Sequence, residues 1–142
     1  MIIAWTKWME KKCACSNFLV NLYGLYYRET VKKEIELAEV RENDRILCIG
    51  GGSIPSTAIQ MANLTKAEID VIDMDPKVVI NARKLINRIG LDGQVSILQG
   101  KGEDMDVGCY DVIHVALQVT PKEKVVDHLW ANSKKGTRII VR

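Results

Sequence analysis

Apolar residues recur along this chain with two different periods. From residue 44 onward, short apolar runs of strand length are separated by longer segments in which apolar residues return every three or four positions. Strands that alternate with helices pair in parallel through right-handed crossovers. The pattern therefore predicts an α/β fold, a doubly wound parallel sheet of about five strands, at Ile46–Ile49, Glu68–Ile72, Gln94–Leu98, Tyr110–Val115 and Thr137–Val141.

The segments between the strands carry helix signals. After the second strand, Asp75 is a suitable N-cap and Pro76 a suitable first helical residue. Ahead of the last strand, Thr120–Glu123 has the pattern of a capping box with proline at the first helical position. The predicted apolar faces of these two helices are Val79, Ala82, Ile86 and Ile89 in the first, and Val125, Val126, Leu129 and Trp130 in the second.

The first 43 residues differ from the rest because they show no strand pattern. Tyr27, Val31, Ile35 and Ala38 recur at helical spacing, with charged residues between them. The chain is therefore predicted to divide into an N-terminal helical segment, residues 1–43, and a sheet-forming domain, residues 44–142.

Three consecutive glycines, Gly50, Gly51 and Gly52, end the first predicted strand. Glycine suits a chain that must adopt positive φ or allow a ligand to approach the backbone. Pro55 then fits the first turn of a helix. A strand, a glycine turn and a helix N-terminus together favour binding of an anionic group, since free N–H groups and the helix dipole point at it. The alternative is a tight turn without a ligand.

The residues of this loop narrow the choice of anion. A lysine at the end of the loop, which a triphosphate-binding loop requires, is missing, and Pro55 stands where a dinucleotide fingerprint has its third glycine. A carboxylate also binds at a helix N-terminus, and S-adenosylmethionine offers one together with a ribose and an adenine. The loop therefore favours S-adenosylmethionine over ATP or NAD.

Asp73 is the second predicted anchor of this site. It follows the glycine turn by about 20 residues, the distance at which an acidic residue reaches ribose hydroxyls in a βαβ unit. Asp75 is the alternative, but it is better placed as a helix cap. Ligands of such sheets bind at the carboxyl ends of the strands, which locates the site at Gly50–Gly52, Asp73, Gly100–Glu103 and Ala116–Gln118.

Composition excludes several other classes of function. The chain has 142 residues and a net charge of +2, so it suits one domain and gives no sign of a nucleic-acid surface. Its four cysteines form no disulfide framework, which favours an intracellular, cytoplasmic protein. Cys13 and Cys15 are too few for a zinc site, and no metal site is predicted. The uncharged stretch 13–27 is too short to span a membrane.

These motifs carry a resemblance to a known family. The loop residues Gly50, Gly52, Pro55 and Thr57, the segment Ile72–Pro76 and the segment Tyr110–Leu129 resemble nicotianamine synthase and its relatives, within the class I S-adenosylmethionine-dependent methyltransferase fold. The resemblance implies a Rossmann-like domain and a transferase that moves aminobutyrate from S-adenosylmethionine to a small molecule. The alternatives are a methyltransferase and a non-catalytic S-adenosylmethionine-binding module of a larger assembly. The predicted cofactor-binding residues are Gly50, Gly51, Gly52, Ser53, Asp73, Met74, Gly102, Glu103 and Ala116.

Two residues are candidates for catalysis. His114 is the only histidine expected near the carboxyl ends of the strands, and its ordinary pKa suits a base; the alternative is a packed strand histidine. Tyr27 is expected to cover the cofactor from the N-terminal helix, or else to be a core aromatic residue. His128 is expected to be solvated.

The resemblance has two departures. Lys101 stands where the methyltransferase fold often has an aspartate near the adenine, which leaves adenine recognition to Glu103 or to the backbone at Gly102. The fifth strand, Thr137–Val141, is expected to leave an open sheet edge. Because unpaired strand edges invite association, we expect a homodimer or a partner chain at this edge.

Overall fold

The structure, a computed structural model, describes residues 17–142, and the part of the predicted helical segment before Asn17 lies outside them. In chain order the elements are α1 (Asn17–Leu37), β1 (Arg45–Ile49), α2 (Ser56–Thr65), β2 (Glu68–Asp73), α3 (Pro76–Arg88), β3 (Val95–Gln99), a 3-10 turn (Gly102–Asp104), β4 (Val112–Val115), α4 (Lys122–Asn132) and β5 (Arg138–Val141). No helix within these residues has the length and apolar character needed to cross a membrane.

The five strands form one parallel sheet in the order β3-β2-β1-β4-β5. The chain moves outward from β1 through β2 to β3, then returns to the other side of β1 with β4 and β5. The order therefore reverses between β1 and β4, and this reversal opens a crevice at the carboxyl ends of these two strands. The doubly wound parallel sheet predicted from the sequence is confirmed.

The sheet is covered on both faces, which explains why β1 is a continuous apolar run. Ile46 and Cys48 face the core formed with α1, α2 and α3. Leu47 and Ile49 face the second core, which α4 completes with Val125 and Leu129. Successive side chains of a strand point to opposite faces, so a strand between two helical layers needs apolar residues at every position.

The two predicted helix starts have different outcomes. Asp75 caps α3 as predicted, because its Oδ1 accepts the N–H of Lys77 at 2.9 Å. The capping box at Thr120 is wrong: no side chain caps α4 in the described part of the chain. The hydroxyl of Thr120 donates to the carbonyl oxygen of Gln118 at 3.4 Å instead, and the helix begins at Lys122.

Two further expectations for α4 are also wrong. Trp130 was expected on the apolar side of the helix, but it is 74% exposed, and Val125 and Leu129 alone are fully buried there. His128 was expected to be solvated. Its Nε2 instead lies 2.7 Å from the carbonyl oxygen of Met105, which links α4 to the segment after the 3-10 turn.

Helix α1 has two apolar faces. Val31 of the helix and Ala38 directly after it are buried in the core, with Tyr27 and Ile35 packed against it, as the helical spacing predicts. A second set of apolar residues on α1, Phe18, Leu22, Leu25 and Tyr26, is 55–80% exposed. We call these four residues the exposed α1 stripe.

Candidate functional site

The three glycines after β1 fold back onto the end of β2. Gly50 has φ +83° and Gly52 has φ +68°, the left-handed region that favours glycine. The N–H groups of Gly50 and Gly51 both donate to the carbonyl oxygen of Ile72, at 2.9 and 3.3 Å. The loop is therefore fixed by the backbone of the neighbouring strand.

Side chains of the protein itself also require glycine at two of these positions. A Cβ on Gly51 would lie 2.2 Å from Cγ1 of Val71, and a Cβ on Gly50 would lie 2.6 Å from Cγ2 of Val119. Both distances are too short for non-bonded carbon atoms. The run of three glycines therefore has an internal cause, and it is not by itself a sign of a ligand.

The N-terminus of α2 is a better sign of an anion site. Pro55 precedes the helix, and no side chain caps it among residues 17–142. The N–H of Ser56 is used within the loop, donating to the carbonyl oxygen of Ile54 at 2.8 Å. Thr57 and Ala58, which follow, have no acceptor for their N–H groups within the described residues. Such a helix start attracts a negative group.

Asp73 connects the glycine loop to the end of β2. Its Oδ2 accepts the N–H of Gly52 at 3.0 Å, and its Oδ1 accepts the N–H of Asp75 at 3.1 Å. Each carboxylate oxygen has two lone pairs, so both oxygens still have capacity for a hydroxyl donor. Asp73 is half-buried. Asp75 caps α3 as predicted, and the binding of a ribose by Asp73 stays a prediction.

The other predicted cofactor residues lie along the carboxyl edge of the sheet. Ser53 is buried in the glycine loop, and Met74, directly after β2, is 52% exposed. The N–H of Ala116 donates to the carbonyl oxygen of Ile49 at 3.0 Å, which places the end of β4 beside the end of β1.

Gly102 and Glu103 belong to the 3-10 turn that follows β3. A Cβ on the buried Gly102 would lie 2.9 Å from Cγ2 of Ile49 and 3.0 Å from Cγ1 of Val125, so packing against β1 and α4 is enough to explain this glycine. Glu103 is half-buried, and Lys101 is exposed.

A buried ion pair lies at the same edge, on the α1 face. Arg142, which directly follows β5, donates from Nε to Oε1 of Glu34 at 2.6 Å and from Nη2 to Oε2 at 2.8 Å. Glu34 is 7% exposed. Sequence reasoning missed both residues, because Glu34 stands among charged residues of α1 and nothing local marks it as buried.

Two pKa values are shifted at and beside this ion pair. Burial by itself raises the pKa of Glu34, but the neighbouring His114 and Arg142 together outweigh it and lower this pKa to about 2. Burial, with a smaller contribution from the Glu34 carboxylate, raises the pKa of the Cys48 thiol to about 12. Cys48 is therefore a protonated thiol at neutral pH and not a nucleophile.

Both predicted catalytic residues lie around this ion pair. The Cζ of Arg142 is 5.5 Å from the ring centroid of the half-buried Tyr27. His114 is 1% exposed, and its Nε2 lies 3.5 Å from Oε1 of Glu34 without forming a hydrogen bond within the described residues. Direct contact between His114 and a bound molecule would require the covering α1 side chains to move.

Within residues 17–142, no three His, Cys, Asp or Glu side chains converge closely enough to hold a metal ion. Cys48 is a buried free thiol and Cys109 an exposed one. The groups described at the carboxyl edge of the sheet that can contact a ligand are therefore backbone N–H groups, carboxylates and a guanidinium.

An open parallel sheet with this order, a glycine turn after its first strand and an aspartate at the end of its second defines a Rossmann-like, nucleoside-binding class of fold. Comparison with known proteins gives the family. Residues 20–142 match the nicotianamine synthase protein family, and the chain belongs to it. The resemblance read from the loop motifs is thereby confirmed.

Two relatives show how far the similarity extends. The L-histidine 2-aminobutanoyltransferase of Yersinia pestis is 27% identical over 120 residues, which cover 84% of this chain and 45% of the relative. Among solved structures, a glutamate-to-glutamine mutant of MtNAS in complex with S-adenosylmethionine superposes with a TM-score of 0.82 and 27% identity over 93% of this chain and 53% of that one. The chain thus spans about half the length of these relatives.

Methyltransferases share the same fold. An RNA methyltransferase from Salinibacter ruber, solved with S-adenosyl-L-homocysteine, superposes with a TM-score of 0.72 and 26% identity over 80% of this chain. The superposed region is 73% of the RNA methyltransferase. The sheet described here is therefore common to both kinds of transferase.

Proposed function

We propose that the protein is an S-adenosylmethionine-dependent transferase that moves an aminobutyrate group to a small-molecule amine, as nicotianamine synthases do. The observation that carries the proposal is the uncapped N-terminus of α2 beside the glycine loop, which Asp73 at the end of β2 holds by a hydrogen bond to Gly52. Membership of the nicotianamine synthase family supports the choice of cofactor and reaction. The relative named as a histidine aminobutanoyltransferase makes L-histidine a reasonable first acceptor to test.

The residues present fit S-adenosylmethionine in charge and in hydrogen-bonding capacity. The free N–H groups of Thr57 and Ala58 suit an anionic end, and the unused lone pairs of Asp73 suit ribose hydroxyls. We propose that the cofactor is held by Gly50, Gly51, Gly52, Ser53, Asp73, Met74, Gly102, Glu103 and Ala116, in domain 44–142, with the helical segment before it as the cover.

S-adenosylmethionine supplies a carbon beside a sulfonium leaving group, so the protein has to position an amine and accept its proton. Tyr27 and His114 are the proposed catalytic residues for this task. Tyr27 is the better exposed of the two, while His114 adjoins the Glu34 carboxylate. The Glu34–Arg142 pair fixes α1 against the end of β5 and thereby holds Tyr27 over the edge of the sheet.

A methyltransferase is the second candidate, because an RNA methyltransferase shares this fold. A non-catalytic binding module is the third. Mass spectrometry of S-adenosylmethionine incubated with the protein and with L-histidine or other amines separates the three. Methylthioadenosine indicates aminobutyrate transfer, adenosylhomocysteine indicates methyl transfer, and neither product favours the binding module.

We also propose that the protein is a cytoplasmic homodimer. One feature supports the dimer: the exposed α1 stripe is apolar. The free thiols of Cys48 and Cys109 support a reducing compartment. The charge of +2 supports a small-molecule substrate over a nucleic acid.

A further inference from the structure

Lys122, the first residue of α4, stands where a cation is unfavourable. The N-terminus of a helix is the positive end of its dipole and attracts acidic residues instead. No Asp or Glu carboxylate of residues 17–142 lies within ion-pair distance of the Lys122 ammonium group. The reason for a lysine at this position therefore has to be found in its other contacts.

The Lys122 ammonium group donates two hydrogen bonds to main-chain oxygens at the carboxyl edge of the sheet. One goes to Leu117, in the loop after β4, at 2.8 Å, and the other goes to Arg142, directly after β5. An ammonium group has three N–H donors, so these two contacts use most of its capacity. Lys122 thereby links the start of α4 to the loop after β4.

The loop after β4, residues 116–119, lies against the glycine loop. The N–H of Ala116 donates to the carbonyl oxygen of Ile49, and the N–H of Val119 closes a turn by donating to the carbonyl oxygen of Ala116 at 3.2 Å. Cγ2 of Val119 is so close to Gly50 that a Cβ there would lie 2.6 Å from it. Because the crevice opens between the ends of β1 and β4, the position of this loop sets the width of the crevice.

Side-chain packing does not hold the middle of this loop. Leu117 is 71% exposed, and Gln118 is exposed too, so both bury little apolar area. The carbonyl oxygen of Leu117 accepts no other hydrogen bond within the described residues. A hydrogen bond from a charged donor is stronger than one between neutral groups, and Lys122 supplies such a bond at this point.

We infer that Lys122 is a positioning residue, which holds the loop after β4 against Gly50 and so keeps the crevice at the width that the cofactor requires. The inference rests on the proposed function, in which S-adenosylmethionine binds along this edge. Lys122 acts through the main chain of Leu117 and does not contact the reacting atoms. This role accounts for a cation at the start of α4.

Three substitutions separate this role from a general effect on stability. Lys122→Met keeps the aliphatic chain but removes the donors, whereas Lys122→Arg keeps a charged donor for the same main-chain oxygens. Lys124→Met is the matched control, because Lys124 is an exposed lysine of the same helix without a partner among residues 17–142. Thermal unfolding checks that each variant folds.

Amide hydrogen exchange, followed by NMR, reports on the loop. In Lys122→Met, the Val119 N–H should exchange about tenfold faster or more, as for loss of a hydrogen bond to a charged group. The Ile69 N–H of β2, which donates to Gln94 far from α4, should exchange as in the parent. Lys122→Arg should restore the slow exchange of Val119, and Lys124→Met should not change it.

Isothermal calorimetry reports on the crevice. Lys122→Met should bind adenosylhomocysteine and methylthioadenosine about tenfold more weakly or worse, because the loop no longer keeps its place beside the ligand. Lys122→Arg should recover most of the affinity for both ligands. Lys124→Met should bind both as tightly as the parent does.

The outcomes distinguish the inference from the proposed function. Faster exchange of Val119 with unchanged affinity would overturn the positioning role and leave the proposed function intact. Unchanged exchange would also overturn it, as would faster exchange at Ile69, since that shows general destabilisation. A parent protein that binds neither ligand would overturn the cofactor site and the proposed function together.

Val119→Ala tests the same contact while Lys122 stays in place. It removes the methyl groups that lie on Gly50, so adenosylhomocysteine should bind more weakly, and this result does not depend on whether Lys122→Met folds. Affinity equal to that of the parent would show that the loop does not set the width of the site, and would overturn the inference.

Discussion

The backbone N–H of Gly52 donates to Oδ2 of Asp73 at 3.0 Å, across the gap between the ends of β1 and β2. The glycine loop and Asp73, which are predicted to bind different parts of one ligand, are thus linked to each other by a hydrogen bond. Because the loop is already ordered without a ligand, binding causes a smaller loss of conformational entropy. The same hydrogen bond makes Asp73 part of the loop's structure.

Asp73→Ala should therefore weaken S-adenosylmethionine binding about tenfold or more, since it removes a charged acceptor and releases the Gly52 loop. Calorimetry measures the affinity. Asp75→Ala is the control: it removes the cap of α3 and should lower the free energy of unfolding by about 1 kcal/mol without changing affinity. If Asp73→Ala binds as tightly as the parent, the cofactor site lies elsewhere.

Gly51→Ala should destabilise the fold by about 1–3 kcal/mol, the usual range for overpacking, because the new Cβ meets Cγ1 of Val71 at 2.2 Å. Val71→Ala in the same chain should recover part of this loss. Gly93→Ala, whose Cβ would meet nothing within 4 Å, is the matched control. Urea unfolding measures all three, and a Gly51→Ala variant as stable as the parent would contradict the packing argument.

Glu34 should make stability depend on pH. Its pKa is lowered from 4.5 to about 2 in the folded protein. The carboxylate therefore stabilises the fold fully above pH 4.5, and this stabilisation is lost as the pH falls from 4.5 toward 2. At pH 7, Glu34→Gln should cost on the order of 3 kcal/mol.

Urea titrations of the parent and of Glu34→Gln between pH 7 and pH 3 measure this difference. It should narrow as the solution becomes more acidic. Glu29→Gln, on an exposed part of the same helix, controls for the change of amino-acid type. A difference that stays constant over the whole pH range would show that Glu34 does not stabilise the fold through its charge.

NAD and ATP should bind poorly or not at all. Pro55 occupies the position of the third glycine of a dinucleotide fingerprint, and the loop has no lysine for a triphosphate. In a thermal-shift screen, adenosylhomocysteine should raise the melting temperature more than either nucleotide does. The opposite ranking, with NAD the stronger stabiliser, would reverse the choice of cofactor.

The exposed α1 stripe should contribute to a homodimer. Light scattering at micromolar concentration should give a dimer mass for the parent protein and a monomer mass for Leu22→Glu, because a charge is costly in an apolar interface. Ile80→Glu, at a 51% exposed position of α3, should remain a dimer. A parent protein that stays monomeric, with or without cofactor, would rule out the proposed assembly.

The sequence by itself determined the sheet and the edge where the candidate site lies. Strand and helix periods follow from local side-chain geometry, so the doubly wound parallel sheet and the cap at Asp75 could be predicted from spacing alone. The sequence also predicted that the glycine loop and Asp73 lie at one edge of the sheet, because the carboxyl ends of parallel strands share that edge. The exposure of Trp130 was not readable, because one apolar residue on a helix need not face the core.

Only the tertiary structure decided which side chains meet at that edge. Glu34 and Arg142 are 108 positions apart, and their contact exists because α1 crosses the end of β5. Val71 explains Gly51 only once β1 and β2 are paired in register. Contacts of this kind depend on how helices pack on a sheet, and the periodicity that specifies each element carries no information about the partner across the interface.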